Sequence, residues 1–222
     1  MPTLKHPDWL KVPAPSDETM GKVKRLLDQG GLHTVCESAN CPNIGECFAR
    51  RTCTFMILGD ICTRDCQFCA VEHGRPAPIN LDEPEAIALA ARQLSLNHVV
   101  ITTVTRDDLP DGGAGQFVAT INALHRELPK ASIEVLISDL KGQLEPLVEI
   151  RRARPDIINH NIETVPRLYE TVRPQASYQR SLKVLQWIGG GAGGIVSKSG
   201  LMLGLGETFA EVVDVLHDLR TA

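Results

Sequence analysis

The sequence has no excess of positive charge, no long apolar run and no internal repeat. Its 23 Lys and Arg against 27 Asp and Glu leave a net charge of −4. That argues against an extended nucleic-acid surface, which needs a basic patch. No apolar stretch is long enough to span a bilayer. Residues 1–29 are mixed polar and include acidic residues, so they read neither as a signal peptide nor as a transit peptide. The expectation is a protein of the reducing cytoplasm with no membrane partner. The one low-complexity tract is the glycine-rich run Gly189 to Gly194, read as a flexible turn. With 222 residues, 43% hydrophobic, the chain suits one domain of ordinary size with a real core.

Against these absences stand seven cysteines, six of them in two triplets. Cys62, Cys66 and Cys69 have the spacing C-x3-C-x2-C. Cys36, Cys41 and Cys47 have the spacing C-x4-C-x5-C. A disulfide framework belongs to short secreted chains and fits poorly here. Thiolates are soft ligands, and an iron–sulfur cubane takes one per iron from a short loop able to wrap it. Three ligands leave one iron open to bind something else. The duller reading is a zinc knot, but zinc takes four ligands, and His73 is the sole local candidate for the fourth. Cys53 belongs to neither triplet and reads as a small buried hydrophobe. His125 and His217 fall on helices and read as structural or solvated; Trp9 and Trp187 have no chemistry assigned.

From Thr54 onward short apolar runs alternate with amphipathic ones. Strands are expected at Thr54–Gly59, His98–Val104, Ser132–Ile137, Asp156–His160 and Ser199–Leu203. Helices are expected at Met20–Gln29, Glu83–Leu96, Gly115–Leu128, Gln143–Arg152, Gln179–Ile188 and Glu207–Leu219. Continuous apolar strands separated by helices indicate an α/β fold with a parallel sheet of about five strands. In such arrays ligands bind at the C-terminal ends of strands. The second cysteine loop, the Arg106–Gly113 stretch and Asn161–Glu163 all fall there.

The pattern Cys-x3-Cys-x-aromatic-Cys, with Phe68 before Cys69, resembles the radical S-adenosylmethionine superfamily. The match narrows along the chain. Val35-Cys36-Glu37-Ser38-Ala39-Asn40-Cys41-Pro42-Asn43, Thr54 to Arg64, and His73-Gly74-Arg75-Pro76 resemble lipoyl synthases. So do Arg106 to Ala114, Asn159 to Tyr169, Val172-Arg173-Pro174 and Lys198 to Thr208. The resemblance runs from Leu32 onward. It implies a partial (β/α)6-type barrel in residues 51–222, preceded by a cysteine-bearing extension in residues 1–50. It implies two [4Fe–4S] clusters and S-adenosyl-L-methionine as cofactors. Cys62, Cys66 and Cys69 would hold the catalytic cluster, and Cys36, Cys41 and Cys47 an auxiliary one that donates sulfur. Phe68, Gly112, Gly113, Asn161, Glu163, Arg173, Met202 and Gly204 are the implied cofactor contacts, with Glu207 closing the Gly200-x-Met202-x-Gly204 strand. The implied activity is insertion of two sulfur atoms at C6 and C8 of an octanoyl-lysine on a lipoyl carrier protein. A reducing electron donor is the further implied partner.

Each of these residues has a plainer reading. Asp111-Gly112-Gly113 is an ordinary turn signal, and Gly204-x-Gly206 could be a strand exit. Glu163 and Arg173 could form a weak surface ion pair, and Asn161 could satisfy backbone groups. The sequence also departs from the family. The family's Arg-Ser-Ser-Tyr motif, which gives the auxiliary cluster a serine ligand, is not found here, and Ser38 is a poor substitute. A sixth strand is expected beyond Ala222. The alternatives to a lipoyl synthase are therefore an inactive iron–sulfur fragment with an open strand edge, or another radical enzyme with an auxiliary cluster. Little lipoyl product is expected from these 222 residues alone.

Overall fold

The computed structural model describes residues 51–191 and 193–222, and before them positions 21, 25, 27, 30–35, 43, 46, 47 and 50. The expected helix at Met20–Gln29 is helical where described, at positions 21, 25 and 27. Cys36, Cys41, Ser38 and Trp9 lie outside the described residues.

The elements are strands β1 (His33–Thr34), β2 (Thr52–Ile57), β3 (Ile61–Cys62) and β4 (Glu72–His73), helix α1 (Glu83–Gln93), β5 (His98–Thr103), α2 (Ala114–Glu127), β6 (Ser132–Leu136), α3 (Leu144–Arg152), β7 (Ile157–Asn159), α4 (Tyr169–Val172), α5 (Tyr178–Gly189), β8 (Val196–Lys198) and α6 (Phe209–Thr221). The main sheet has the order β1-β2-β5-β6-β7-β8. Only β1 runs antiparallel; β2, β5, β6, β7 and β8 are parallel, as expected. The five parallel strands follow one another in chain order. With right-handed crossovers, such an order puts every connecting helix on the same face. The sheet is therefore an arc of a barrel, with helices outside and a second face inside.

Strand alternation separates the two faces. Phe55, Ile57, Val99, Ile101, Ile133, Val135 and Ile158 are all fully buried and form the core. Phe117, Ile121 and Leu124 of α2 and Ile87 of α1 belong to the same cluster. Each such side chain contributes about 1.5–3 kcal/mol by leaving water. The opposite parity is more polar, with His98, Thr102, Glu134, Asn159 and Lys198. Glu134 accepts from Lys198 Nζ at 2.7 Å and lies 3.4 Å from His98 Nε2. The His98 hydrogen bond and Lys198 together hold its carboxyl at about 2.

Local signals explain most element boundaries. Pro84 opens α1 with Glu83 and Glu85 in its first turn. Ser177 caps α5, and Thr208 with Glu211 forms a capping box on α6. Among the strands, two differ most from expectation. The first parallel strand stops at Ile57 because Leu58 (φ +70°) and Gly59 (φ +90°) turn the chain out. The last lies at Val196–Lys198, not Ser199–Leu203. Its three residues are exposed, and the apolar stretch that imitated a strand makes one isolated bridge, Glu163 to Leu201. No helix among the described residues is long and apolar enough to cross a membrane.

Candidate functional site

The second cysteine loop leaves β2 and is tied down unevenly. Cys62 sits in β3, paired in parallel with β4, so the backbone of His73 lies beside it. Gly74 N–H donates to the Cys62 carbonyl at 2.8 Å. The Cys62 sulfur accepts N–H bonds from Thr105 at 3.2 Å and Arg64 at 3.4 Å. Thr63 reinforces this: its hydroxyl donates to the Thr105 carbonyl at 2.9 Å and accepts from Asp107 N–H at 3.0 Å. The loop after β2 is thus latched to the loop after β5.

Cys66 is half-buried and Cys69 exposed. Cys69 N–H donates to the Cys66 carbonyl at 3.0 Å, making a tight turn around Phe68, which is half-buried. Burial pushes the Cys66 thiol up, against the pull of the Arg173 guanidinium, and the neighbouring sulfurs of Cys62 and Cys69 add to the rise. Gln67 N–H donates to the Val172 carbonyl at 3.0 Å, bringing this half of the loop to the end of α4.

Arg173 follows directly. It is buried, and its Nη1 donates to the carbonyls of Asn161 at 3.0 Å and Ile162 at 3.5 Å. The guanidinium stands 5.6 Å from the Tyr169 ring centroid, and its Nε has no partner. Glu163 adopts a left-handed backbone (φ +65°), and burial pushes its carboxyl up against the pull of Asn161 and Arg173. So Cys66, Arg173, Asn161 and Glu163 converge. Arg173 and Glu163 are no surface ion pair.

Met202 joins this group through the backbone: its N–H donates to the Glu163 carbonyl at 2.9 Å. Gly200 explains the closeness, since a Cβ there would stand 2.7 Å from Asn161 Oδ1. Gly204 is exposed, and its N–H donates to Glu207 Oε1 at 2.5 Å. The two glycines after β5 are also constrained by the protein's own packing. Gly113 (φ +91°) is the N-cap of α2, and a Cβ on it would lie 2.2 Å from Leu58 Cδ1. A Cβ on Gly112 (φ +61°) would meet Leu140 Cδ2 at 3.2 Å. Glycine at 113 is therefore already required by the protein's own packing, with no ligand involved.

Several residues that organise the site have no role assigned from the sequence, although Arg64 and Arg106 to Asp108 lie in stretches that carry the family resemblance. Arg106 makes a bidentate pair with Asp108 at 2.8–2.9 Å and donates to the Leu58 carbonyl at 3.2 Å. Buried Glu83 accepts from Leu58 N–H at 3.1 Å and Gln116 at 2.8 Å. Arg64 bridges Asp107 and the fully buried Asp139, which also accepts from Arg180 at 3.0 Å. Burial opposes ionisation of Asp139, yet Arg64 and Arg180 hold it at about 2. For Glu83, Asp139 and Arg180 the one signal is an ionisable residue inside an apolar βα junction.

Cys53 is fully buried in the core, as expected. Of the first triplet only Cys47 is described: it is half-buried and its N–H donates to the Asn43 carbonyl at 3.0 Å. A cleft of about 670 Å³ between the end of α3 and the start of β7 is lined by Arg151, Arg152 and Arg154. It opens at the N-terminal ends of the strands, the wrong end for a ligand in a parallel array.

Comparison with known proteins bears on the family. The model of the radical SAM superfamily matches residues 56–219. A lipoyl synthase of Caldanaerobacter subterraneus subsp. tengcongensis is 54% identical over 218 residues, covering 98% of this chain and 76% of that protein. One from Caldicellulosiruptor bescii is 51% identical, covering 100% of this chain and 76% of its own length. The chain belongs to the lipoyl synthase family. Among solved structures, methylornithine synthase superposes with a TM-score of 0.60 at 15% identity, covering 94% of this chain and 58% of that one. The methyltransferase TsrM from Kitasatospora setae, solved with cobalamin and a [4Fe-4S] cluster, gives 0.55 at 14% identity, over 75% of this chain and 34% of that one. These two bear on the fold alone, and they agree with a partial radical SAM barrel. The chain spans about three quarters of the length of these lipoyl synthase relatives.

Proposed function

We propose that the chain binds a [4Fe–4S] cluster on Cys62, Cys66 and Cys69 and S-adenosyl-L-methionine beside it, and acts as a radical sulfurtransferase on octanoyl-lysine of a lipoyl carrier. The observation that carries the reading is the convergence of the C-x3-C-x2-C loop with Arg173, Asn161 and Glu163 at the C-terminal ends of the strands. The donor set fits a cubane better than a lone ion. Among the described residues no three His, Cys, Asp or Glu side chains gather around one point. A cubane spreads its thiolates over separate irons, which suits three sulfurs on one loop. Bound there, the cluster supplies one electron to cleave a sulfonium and so provides an organic radical able to break unactivated C–H bonds.

The chain's own residues do the rest. The N–H groups of Thr105 and Arg64 hold the Cys62 sulfur and stabilise its negative charge. Arg173 sets a buried positive charge beside Cys66 and offers its unpartnered Nε to the carboxylate of the cofactor. Glu163 and Asn161 supply acceptors for the ribose hydroxyls, with Phe68, Met202, Gly204 and the backbone at Gly112 and Gly113 as the remaining contacts. Cys36, Cys41 and Cys47 hold a second cluster, consumed as the sulfur substrate. A reducing donor and the octanoylated carrier are the partners; neither nucleic acid nor a membrane is one.

The test is anaerobic reconstitution of the full chain. Replacing Cys62, Cys66 and Cys69 together by Ala is expected to halve bound iron and abolish S-adenosylmethionine cleavage. Replacing Cys36, Cys41 and Cys47 is expected to lower iron while cleavage persists. Full iron content in either triple variant would defeat the two-site reading.

A further inference from the structure

We propose that Arg64 is a positioning residue that presets Cys62, the first sulfur ligand, before any cluster is assembled. The inference rests on the reading that the 62–69 loop holds a cluster. Arg64 lies inside the cysteine triplet, yet its side chain is only 4% exposed and is engaged by carboxylates of later loops. Nε and Nη2 make a bidentate pair with Asp107 at 2.7 and 2.9 Å, and Nη2 also reaches Asp139 at 2.7 Å. Asp139 is in turn held by Arg180 and by the N–H of Lys141 at 3.1 Å. One guanidinium therefore ties together the loops that follow β2, β5 and β6.

The consequence reaches the sulfur through the backbone. With Arg64 fixed, its N–H points at Cys62 Sγ. With Asp107 fixed, the Thr63 latch closes and brings Thr105 N–H to the same sulfur. Among the described residues Cys66 meets the Arg173 guanidinium without a backbone N–H bond to its sulfur, and Cys69 is exposed. The first ligand is rigid and the third is open to solvent, an order suited to building a cluster inward from one fixed thiolate. Stability does not explain the arrangement well. A buried ion pair often does no better than an apolar replacement of the same shape, because desolvation offsets the attraction. Placement is what a rigid fork of five donors provides and a lysine cannot.

The experiment uses the full chain reconstituted anaerobically with iron and sulfide, with Arg64→Lys and Asp107→Asn. Circular dichroism of each apo-protein checks folding. The readouts are the rate of iron loss to a chelator and the EPR spectrum of the reduced cluster. Arg64→Lys is expected to lose iron about 10–100-fold faster, the usual effect of removing a group that orients a metal ligand, and to broaden the EPR signal. Asp107→Asn, at a partly exposed position, should fold and show the same change more weakly. If Arg64→Lys does not fold, Asp107→Asn alone decides by the same measures. Iron loss within about twofold of the unmodified chain and an unchanged EPR signal overturn the inference. A chain that takes up no iron dependent on Cys62, Cys66 and Cys69 overturns the functional reading and this inference together. A normal cluster indifferent to the variants overturns this inference alone.

Discussion

Around Cys62 the chain is held by buried charge, whereas around Met202 and Gly204 it is held by backbone bonds and by the surface carboxylate of Glu207. Arg64, Asp107, Asp139 and Arg180 bind three loops together out of water. On the other side β8 has three exposed residues, Met202 is held by one backbone bond to Glu163, and Gly204 by the exposed turn that Glu207 closes. The β2–β5 ladder covers six residue pairs and the β7–β8 ladder three. A ligand that must be chelated at one end and admitted at the other suits such a pairing of rigid and yielding walls.

The hardest test of that contrast is to remove one charge from each side. Asp139→Ala leaves buried Arg64 with Asp107 alone and Arg180 without its partner carboxylate, and is expected to cost up to about 3–5 kcal/mol. Lys198→Ala, on half-exposed β8, should cost less than about 1 kcal/mol. Denaturant unfolding measures both, and equal losses would erase the distinction.

Acid should separate the two sides by pH. Burial lowers His160, at the end of β7, from its ordinary 6.5 to about 4. Between those values the unfolded chain binds the extra proton, so this contribution is complete above about pH 6.5 and lost as pH falls towards 4. The loss amounts to roughly 3 kcal/mol at about 1.4 kcal/mol per pH unit. Asp139 adds no slope in that window: its stabilisation is present above 3.8 and disappears only as pH falls towards about 2. Unfolding measured from pH 7 to 4.5 should therefore show a decline that His160→Asn removes and Asp139→Asn does not.

Glycine substitutions sharpen the comparison at smaller scale. Gly113→Ala combines a left-handed backbone with a collision against Leu58 and is expected to cost roughly 2–3 kcal/mol. Gly204→Ala is also left-handed but meets open space, and should cost about 1 kcal/mol. Adding Leu58→Ala to Gly113→Ala should recover part of its loss; strict additivity would remove the collision from the account. Loss of S-adenosylmethionine binding in Gly113→Val reports a fold defect before it reports a ligand clash.

The most local effect is expected at Gly200→Ala. Its Cβ would stand 2.7 Å from Asn161 Oδ1, so the Asn161 side chain must shift in the pocket wall. Binding of S-adenosylmethionine, followed by calorimetry, should weaken up to about tenfold, equivalent to about 1.4 kcal/mol. Unchanged affinity would remove Asn161 from the cofactor contacts.

Much of this was legible in the chain. The βα alternation is written in hydrophobic periodicity, so four of the five parallel strands and most helices fall within a residue or two of expectation. The exception, β8, carries no such signal, because Val196, Ser197 and Lys198 face water and apolar Leu201-Met202-Leu203 imitates a buried strand. Three thiols within eight residues are neighbours by covalent connection, whatever the fold does around them. That is why Cys62, Cys66 and Cys69 could be read as one ligand set. The partners of Arg64 are 43 and 75 residues away, and Leu58 meets Gly113 only once β2 and β5 lie side by side. No spacing rule selects Asp107 and Asp139 from the chain's other carboxylates. The closing of the sheet does, because it alone brings three loop ends within hydrogen-bond reach of one buried guanidinium.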